Sequence, residues 1–173
     1  MKPTSRRHFL KTSIAAGLGL ALPRRAIGAA PARAIGANDT IRLAVIGLGG
    51  TEIVGGVGGR GHQLIAALQQ VPGIRIAALC DVDQTFLRRE ARPLEDRGHP
   101  VVTHTDLRRV LDDKTIDAVV IATPNHWHGL ATVWACQAGK DVYVEKPFSH
   151  DLWEGRQMVA AARKHGRMVQ PGT

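Results

Sequence analysis

The sequence predicts an α/β fold, a doubly wound parallel sheet, behind a short N-terminal targeting segment. Three features predict it. Past Asn38, apolar runs of strand length alternate with helical patterns through the rest of the 173 residues. The first run, Ile41–Gly47, reads IRLAVIG, the apolar continuity expected of a strand covered on both faces. It opens into a glycine-rich loop and then a helical pattern, the start of a βαβ unit with a right-handed crossover.

The remaining elements follow in order. A helix is predicted around His62–Gln70, with Leu64, Ile65 and Leu68 on one face. Pro72-Gly73 leads into a second strand, Ile74–Cys80. Asp83–Arg97 is helical, with Pro93 expected to kink or shorten it. Val101–Thr103 is a short strand and Asp106–Asp112 a short helix, with Asp106 as its N-cap. Ala118–Thr123 is the fourth strand, Trp127–Ala138 a helix closed by Gly139, and Asp141–Glu145 the fifth strand. Asp151–His165 is a helix stopped by Gly166, and Arg167–Gln170 begins a sixth strand.

The formal charge of +8 invites a nucleic-acid reading, and its distribution removes it. Residues 1–32 carry Lys2, Arg6, Arg7, Lys11, Arg24 and Arg25 and no acid, which leaves +2 for the rest. With only 3 Phe, 3 Trp and 1 Tyr, the chain also lacks material for a base-stacking surface. Ser5-Arg6-Arg7-His8-Phe9-Leu10-Lys11 followed by the apolar run Ile14–Leu22 has the order of an export signal and resembles the twin-arginine motif. That run is too short and glycine-rich for a stable membrane anchor. Residues 1–36 are therefore predicted to be signal peptide and linker, cut near Ala30-Pro31-Ala32 or Ala34-Ile35-Gly36, and residues 38–173 the domain. The expected partner of the N-terminus is the twin-arginine export machinery, and the expected destination the periplasm. A passenger folded before export folds in a reducing compartment, so Cys80 and Cys136 are expected as buried free thiols. No pair of metal-ligand spacing accompanies them.

The loop after the first strand carries a dinucleotide-type fingerprint with irregular spacing. G-x-G-x-x-G uses glycines for a tight turn, for backbone approach to a pyrophosphate and for helix–strand packing. Counted from Gly47 and Gly49, the third position is Glu52, and the pattern fails. Counted from Gly56 and Gly58, it completes at Gly61. Either Gly47 and Gly49 meet the phosphates while Thr51–Gly59 loops out as an insertion, or Gly56 and Gly58 replace them. The first pair is preferred, because a strand end fixes geometry better than a loop. Asp81 closes the second strand 20 residues beyond Gly61, where a carboxylate would meet ribose hydroxyls. A carboxylate there repels a 2′-phosphate, so NAD is expected over NADP, although Arg88 and Arg89 lie close enough in sequence to be recruited.

Two further segments fall at strand ends, where open α/β sheets bind ligands. Strand four ends in Thr123-Pro124-Asn125-His126-Trp127-His128, strand five in Glu145-Lys146-Pro147. A lysine so placed can bond a substrate hydroxyl and stabilise developing alkoxide charge. His126 or His128 can contact substrate, or else cap and pack the following helix.

Gly47-Leu48-Gly49 with Gly61, Cys80-Asp81-Val82-Asp83, Thr123–His128 and Glu145-Lys146-Pro147, in that order, resemble the Gfo/Idh/MocA oxidoreductases, in particular their exported branch. The resemblance runs from about Asn38 to Thr173. It implies a Rossmann domain binding NAD(P), followed in the family by an α+β domain for substrate and oligomerisation. It implies hydride transfer with a sugar, cyclitol or related polyol, and a homo-oligomer. Its expected cofactor residues are Gly47, Gly49, Gly58, Gly61, Asp81, Thr123, Pro124, Asn125, His128, Glu145, Lys146 and Pro147, with Lys146 catalytic and Pro147 entered through a cis bond. The family's second domain supplies an aspartate and a histidine that find no counterpart here. The chain is accordingly expected to be a fragment that binds dinucleotide weakly and turns nothing over. The alternatives are a glycosidase of the same family, using transient oxidation by bound NAD, and a stand-alone dinucleotide-binding module. A methyltransferase would share the glycine loop but leaves Glu145-Lys146-Pro147 unexplained.

Overall fold

The computed structural model describes residue 36, residues 39–49 and residues 59–173. The signal segment, Gly56, Gly58 and most of the Thr51–Gly59 insertion lie outside the described residues. Six strands form one parallel sheet: β1 (Ile41–Ile46), β2 (Ile74–Cys80), β3 (Val102–His104), β4 (Ala118–Ile121), β5 (Asp141–Val144) and β6 (Val169–Pro171). Their order is β3-β2-β1-β4-β5-β6, with every neighbouring pair parallel. The helices are α1 (Arg60–Leu68), α2 (Gln84–Glu95), α3 (Leu107–Asp112), α4 (His128–Gln137) and α5 (Leu152–His165), with a 3-10 turn at Asn125–Trp127.

Both faces of the sheet are covered, which is why β1 and β2 read as apolar runs. Leu43, Val45 and Leu79 pack with Ile65 of α1 and Leu87, Ala91 and Leu94 of α2 on one face. Ala44, Ile46, Val119 and Ile121 pack with Val110 of α3, Ala135 of α4 and Met158 of α5 on the other. Alternate residues of one strand thus serve opposite layers.

The helix ends follow their local chemistry. Asp83 caps α2 through Thr85 N at 2.6 Å, Asp106 caps α3 through Arg108 N at 3.0 Å, and Asp151 caps α5 through Glu154 N at 2.8 Å. Gly166 closes α5 in the left-handed conformation, at φ 60°. Pro93 sits in the last turn of α2, which ends at Glu95 instead of Arg97. Its missing N–H affects the turn before it, and the helix is closed by Gly98 at φ 77°, with Gly98 N and His99 N donating to the Glu95 and Leu94 carbonyl oxygens.

The order places the crossover reversal between β1 and β4. One strand leads from β1 towards β2 and β3, the other towards β5 and β6. The carboxyl ends of β1, β2, β4 and β5 therefore surround one crevice.

Candidate functional site

The crevice floor is the turn after β1. Gly47 has φ 85°, and a Cβ on it would lie 2.6 Å from Thr123 N, so only glycine fits between the ends of β1 and β4. Gly49 lies against Gly59, whose N would be 2.6 Å from a Cβ on Gly49. The chain that leaves at Gly49 is back beside it at Gly59. Residues 47, 48, 49, 59, 60 and 61, read across that approach, run in the order G-x-G-x-x-G. Gly61, on the first turn of α1, packs on the carbonyl oxygen of Gly47 and the Cα of Leu48, leaving no room for a side chain.

The N-terminus of α1 has no side-chain cap and no acid in its first turn. A helix start without a capping side chain or an acid is suited to an anion. Asp81 stands at the end of β2, its two oxygens held by backbone amides: Oδ2 accepts from Leu48 N at 2.8 Å and Oδ1 from Asp83 N at 2.9 Å. One of these donors belongs to the glycine turn, so carboxylate and turn form a single unit. Each oxygen keeps a further lone pair for a ligand hydroxyl.

Asp81 and Thr123 line opposite sides of a cavity of about 440 Å³, with Gly47, Val82, Asp106 and Arg108 among its other walls. The Thr123 hydroxyl is buried without a hydrogen-bond partner among the described residues. A buried orphan hydroxyl in a cavity wall is suited to a bound polar group. Pro124 and half-buried Asn125 follow it on the rim.

The end of β5 is organised differently. Lys146 is exposed, and its ammonium has no partner among the described residues. The Lys146–Pro147 peptide is cis, as the resemblance implies. Glu145 is buried and engaged: Arg60 Nε donates to Oε1 at 2.8 Å, Tyr143 Oη to Oε1 at 3.0 Å, and Lys146 N to Oε2 at 3.2 Å. Burial raises the Glu145 carboxyl, but the Arg60 and Tyr143 bonds outweigh it and hold the group below its ordinary value. His128 is 1% exposed, with Nδ1 2.7 Å from the Pro147 carbonyl oxygen and Nε2 2.7 Å from that of Thr123.

Two of the expected cofactor residues have their side chains engaged within the chain. The Glu145 carboxylate is taken up by Arg60, Tyr143 and the chain itself, and both His128 nitrogens by carbonyl oxygens. His128 works behind the crevice wall, pinning the ends of β4 and β5 together. Arg60, Tyr143, Asp106 and Arg108 are the neighbours that sequence reasoning did not place in the site. A strand-end glutamate followed by lysine was the available hint that a cation must answer it. Of the two arginines considered near Asp81, Arg89 is turned to Glu90 at 2.6 Å and the Gly49 carbonyl at 3.4 Å. Among the described residues, no group of three His, Cys, Asp or Glu side chains is placed to hold a metal, and no helix is long and apolar enough to cross a membrane.

A 3-2-1-4-5-6 parallel sheet with a glycine turn at its reversal point and an acid closing its second strand defines a dinucleotide-binding Rossmann domain. The chain belongs to the Gfo/Idh/MocA family: residues 41–173 match the oxidoreductase family with an NAD-binding Rossmann fold. Residues 3–23 match the twin-arginine translocation pathway signal, which marks the protein for export to the periplasm. A glycosyl hydrolase family 109 protein of Saccharopolyspora erythraea is 33% identical over 184 residues, covering 94% of this chain. Myo-inositol 2-dehydrogenase from Lactobacillus plantarum is similar in structure, with TM-score 0.64 and 27% identity over 78% of this chain and 36% of its own. The WlbA dehydrogenase of Chromobacterium violaceum, solved with NADH and UDP-GlcNAcA, gives TM-score 0.65 and 25% identity over 79% of this chain and 36% of its own. The chain spans 38% of the length of the Saccharopolyspora relative.

Proposed function

We propose that residues 38–173 are the NAD-binding domain, and residues 1–36 the signal and linker, of an exported enzyme that moves hydride to or from a sugar, cyclitol or related polyol. The observation that carries this reading is the joined unit of glycine turn and Asp81 at the end of β2. Gly47, Gly49, Gly61 and the first amides of α1 would hold the pyrophosphate, and Asp81 the adenosine ribose. The glycines leave the space, the amides the donors and Asp81 the acceptors that the group requires. A carboxylate at the ribose favours NAD over NADP. NAD, when bound, supplies the hydride acceptor at its nicotinamide ring.

Thr123, Pro124 and Asn125 would border the nicotinamide end. Lys146 is the one residue of the chain proposed to be catalytic. Its free ammonium would donate to the substrate oxygen and stabilise negative charge there. Glu145, through Arg60, and His128, through Thr123 and Pro147, would fix the strand ends that carry these groups.

A second reading is a redox-neutral glycosidase, in which the same chemistry is transient and is followed by elimination of the glycosidic bond. The likeness to the glycosyl hydrolase family 109 protein of Saccharopolyspora favours it. The test is product analysis with a protein of the relatives' full length. Net reduced nicotinamide from free sugars supports the dehydrogenase, and release of sugar from a glycoside without net reduction supports the glycosidase. Turnover that survives Lys146→Ala would overturn the role given to Lys146 in both.

A further inference from the structure

We infer that Asp106 is a second determinant of cofactor choice, acting by holding Arg108 away from any phosphate on the adenosine ribose. The inference rests on the proposed NAD site and concerns a residue outside the glycine turn and the strand-two acid.

Among the described residues, three charged side chains line the cavity beside Asp81: Asp81 itself, Asp106 and Arg108. The cavity is therefore net negative, and it has one cation. That cation is committed. Arg108 Nη2 lies 2.6 Å from Asp106 Oδ2, and Arg108 Nε lies 3.0 Å from both carboxylate oxygens. The carboxylate cannot easily turn away, because Oδ1 also accepts from Arg108 N at 3.0 Å as the cap of α3. Cap and ion pair thus fix one geometry, with Arg108 folded back on its own helix start.

The two carboxylates act on the same small region. Both Asp81 and Asp106 add to burial in pushing the Cys80 thiol up to about 12. A dianionic 2′-phosphate beside Asp81 would enter that field without a free cation to meet it. A 2′-hydroxyl carries no charge and is indifferent to the pair. Arg88 lines the adjoining groove with Arg92 and Arg109, which shares Thr105 and Asp106 with this cavity, and it extends towards Gln84 Oε1, at 3.5 Å.

The pair is exposed, with side chains 70% and 40% accessible. Such pairs are weak, so Arg108 would change partner readily once the charge on Asp106 is removed. Asp106→Asn does this while keeping an oxygen for the helix cap.

The test is calorimetric binding of NAD and NADP to the 173-residue chain as wild type, Asp106→Asn and Asp106→Asn/Arg108→Met, with thermal melts to verify folding. The inference predicts that Asp106→Asn strengthens NADP binding about two- to fivefold, NAD binding staying unchanged, and that adding Arg108→Met removes most of the gain. An unchanged NADP affinity in Asp106→Asn, an equal gain for NAD, or a gain undiminished by Arg108→Met would overturn it while leaving the NAD site standing. Failure of the wild type and every folded variant to bind either dinucleotide overturns the site itself, and this inference with it.

Discussion

Arg60 Nε lies 2.8 Å from Glu145 Oε1, joining the first residue of α1 to the end of β5 across 85 residues of chain. The pair fastens the glycine turn to the segment that carries Lys146. Glu145 is 5% exposed and Arg60 46%, so the carboxylate has little water to fall back on and the guanidinium has some. Removing the charge should cost about 1–2 kcal/mol, less than a fully buried pair. Glu145→Gln is expected to lower the urea midpoint at neutral pH accordingly.

The same carboxyl sets a pH dependence. Its folded-state value lies below its ordinary 4.5, so its stabilisation is complete above that pH and is lost as pH falls through the folded value. Stability of the wild type should therefore decline more steeply below pH 4.5 than that of Glu145→Gln. Parallel decline of the two proteins in acid urea titrations would show that Glu145 does not supply the dependence.

Gly61→Ala places a methyl group against the Gly47 carbonyl and 2.7 Å from the Leu48 Cα. Neither obstacle is a flexible side-chain end, so backbone must shift. The expected loss is at least about 2 kcal/mol, together with weakened NAD binding, measured by denaturation and calorimetry. An alanine variant as stable as wild type would contradict the close packing of α1 on the turn.

His128→Leu deletes, at roughly constant volume, the ring N–H that lies between the Thr123 and Pro147 carbonyl oxygens. Either tautomer donates to one of the two, so the loss should cost about 1–2 kcal/mol. Amide exchange should accelerate at the ends of β4 and β5 together. Acceleration at one end alone would argue against His128 as the link between them.

Both thiols are buried and free. Burial, then Asp81 and Asp106, pushes Cys80 up to about 12; burial, then Asp141, pushes Cys136 up to about 11. Neither should react with a thiol reagent at pH near 8 in the folded chain, and both should after unfolding.

Much of this arrangement is legible in the sequence because its causes are local. β1 and β2 announce themselves through apolar runs, and Asp106, Gly139 and Gly166 mark helix ends by short-range bonding or backbone preference. The start of α1 at Arg60 instead of His62 is less visible, since Gly59 brings no capping side chain. The glycine fingerprint fails by counting because residues 49 and 59 are neighbours only in space. The Arg60–Glu145 bond and the meeting of Asp81 and Asp106 on one cavity wall are likewise made by the topology. Their residue types are plain in the sequence, and their pairings are not. For His128 the sequence left ligand contact and packing open, and the fold turns its ring onto the Thr123 and Pro147 carbonyl oxygens.

The most direct test of the account is an amide chemical-shift titration of the isotope-labelled 173-residue chain with NAD. The account predicts the largest shifts at Gly47, Leu48, Gly49, Arg60 and Gly61, with Asp81→Ala weakening binding about tenfold or more. Shifts confined to the groove of Arg88, Arg92 and Arg109, or unchanged affinity in Asp81→Ala, would contradict it.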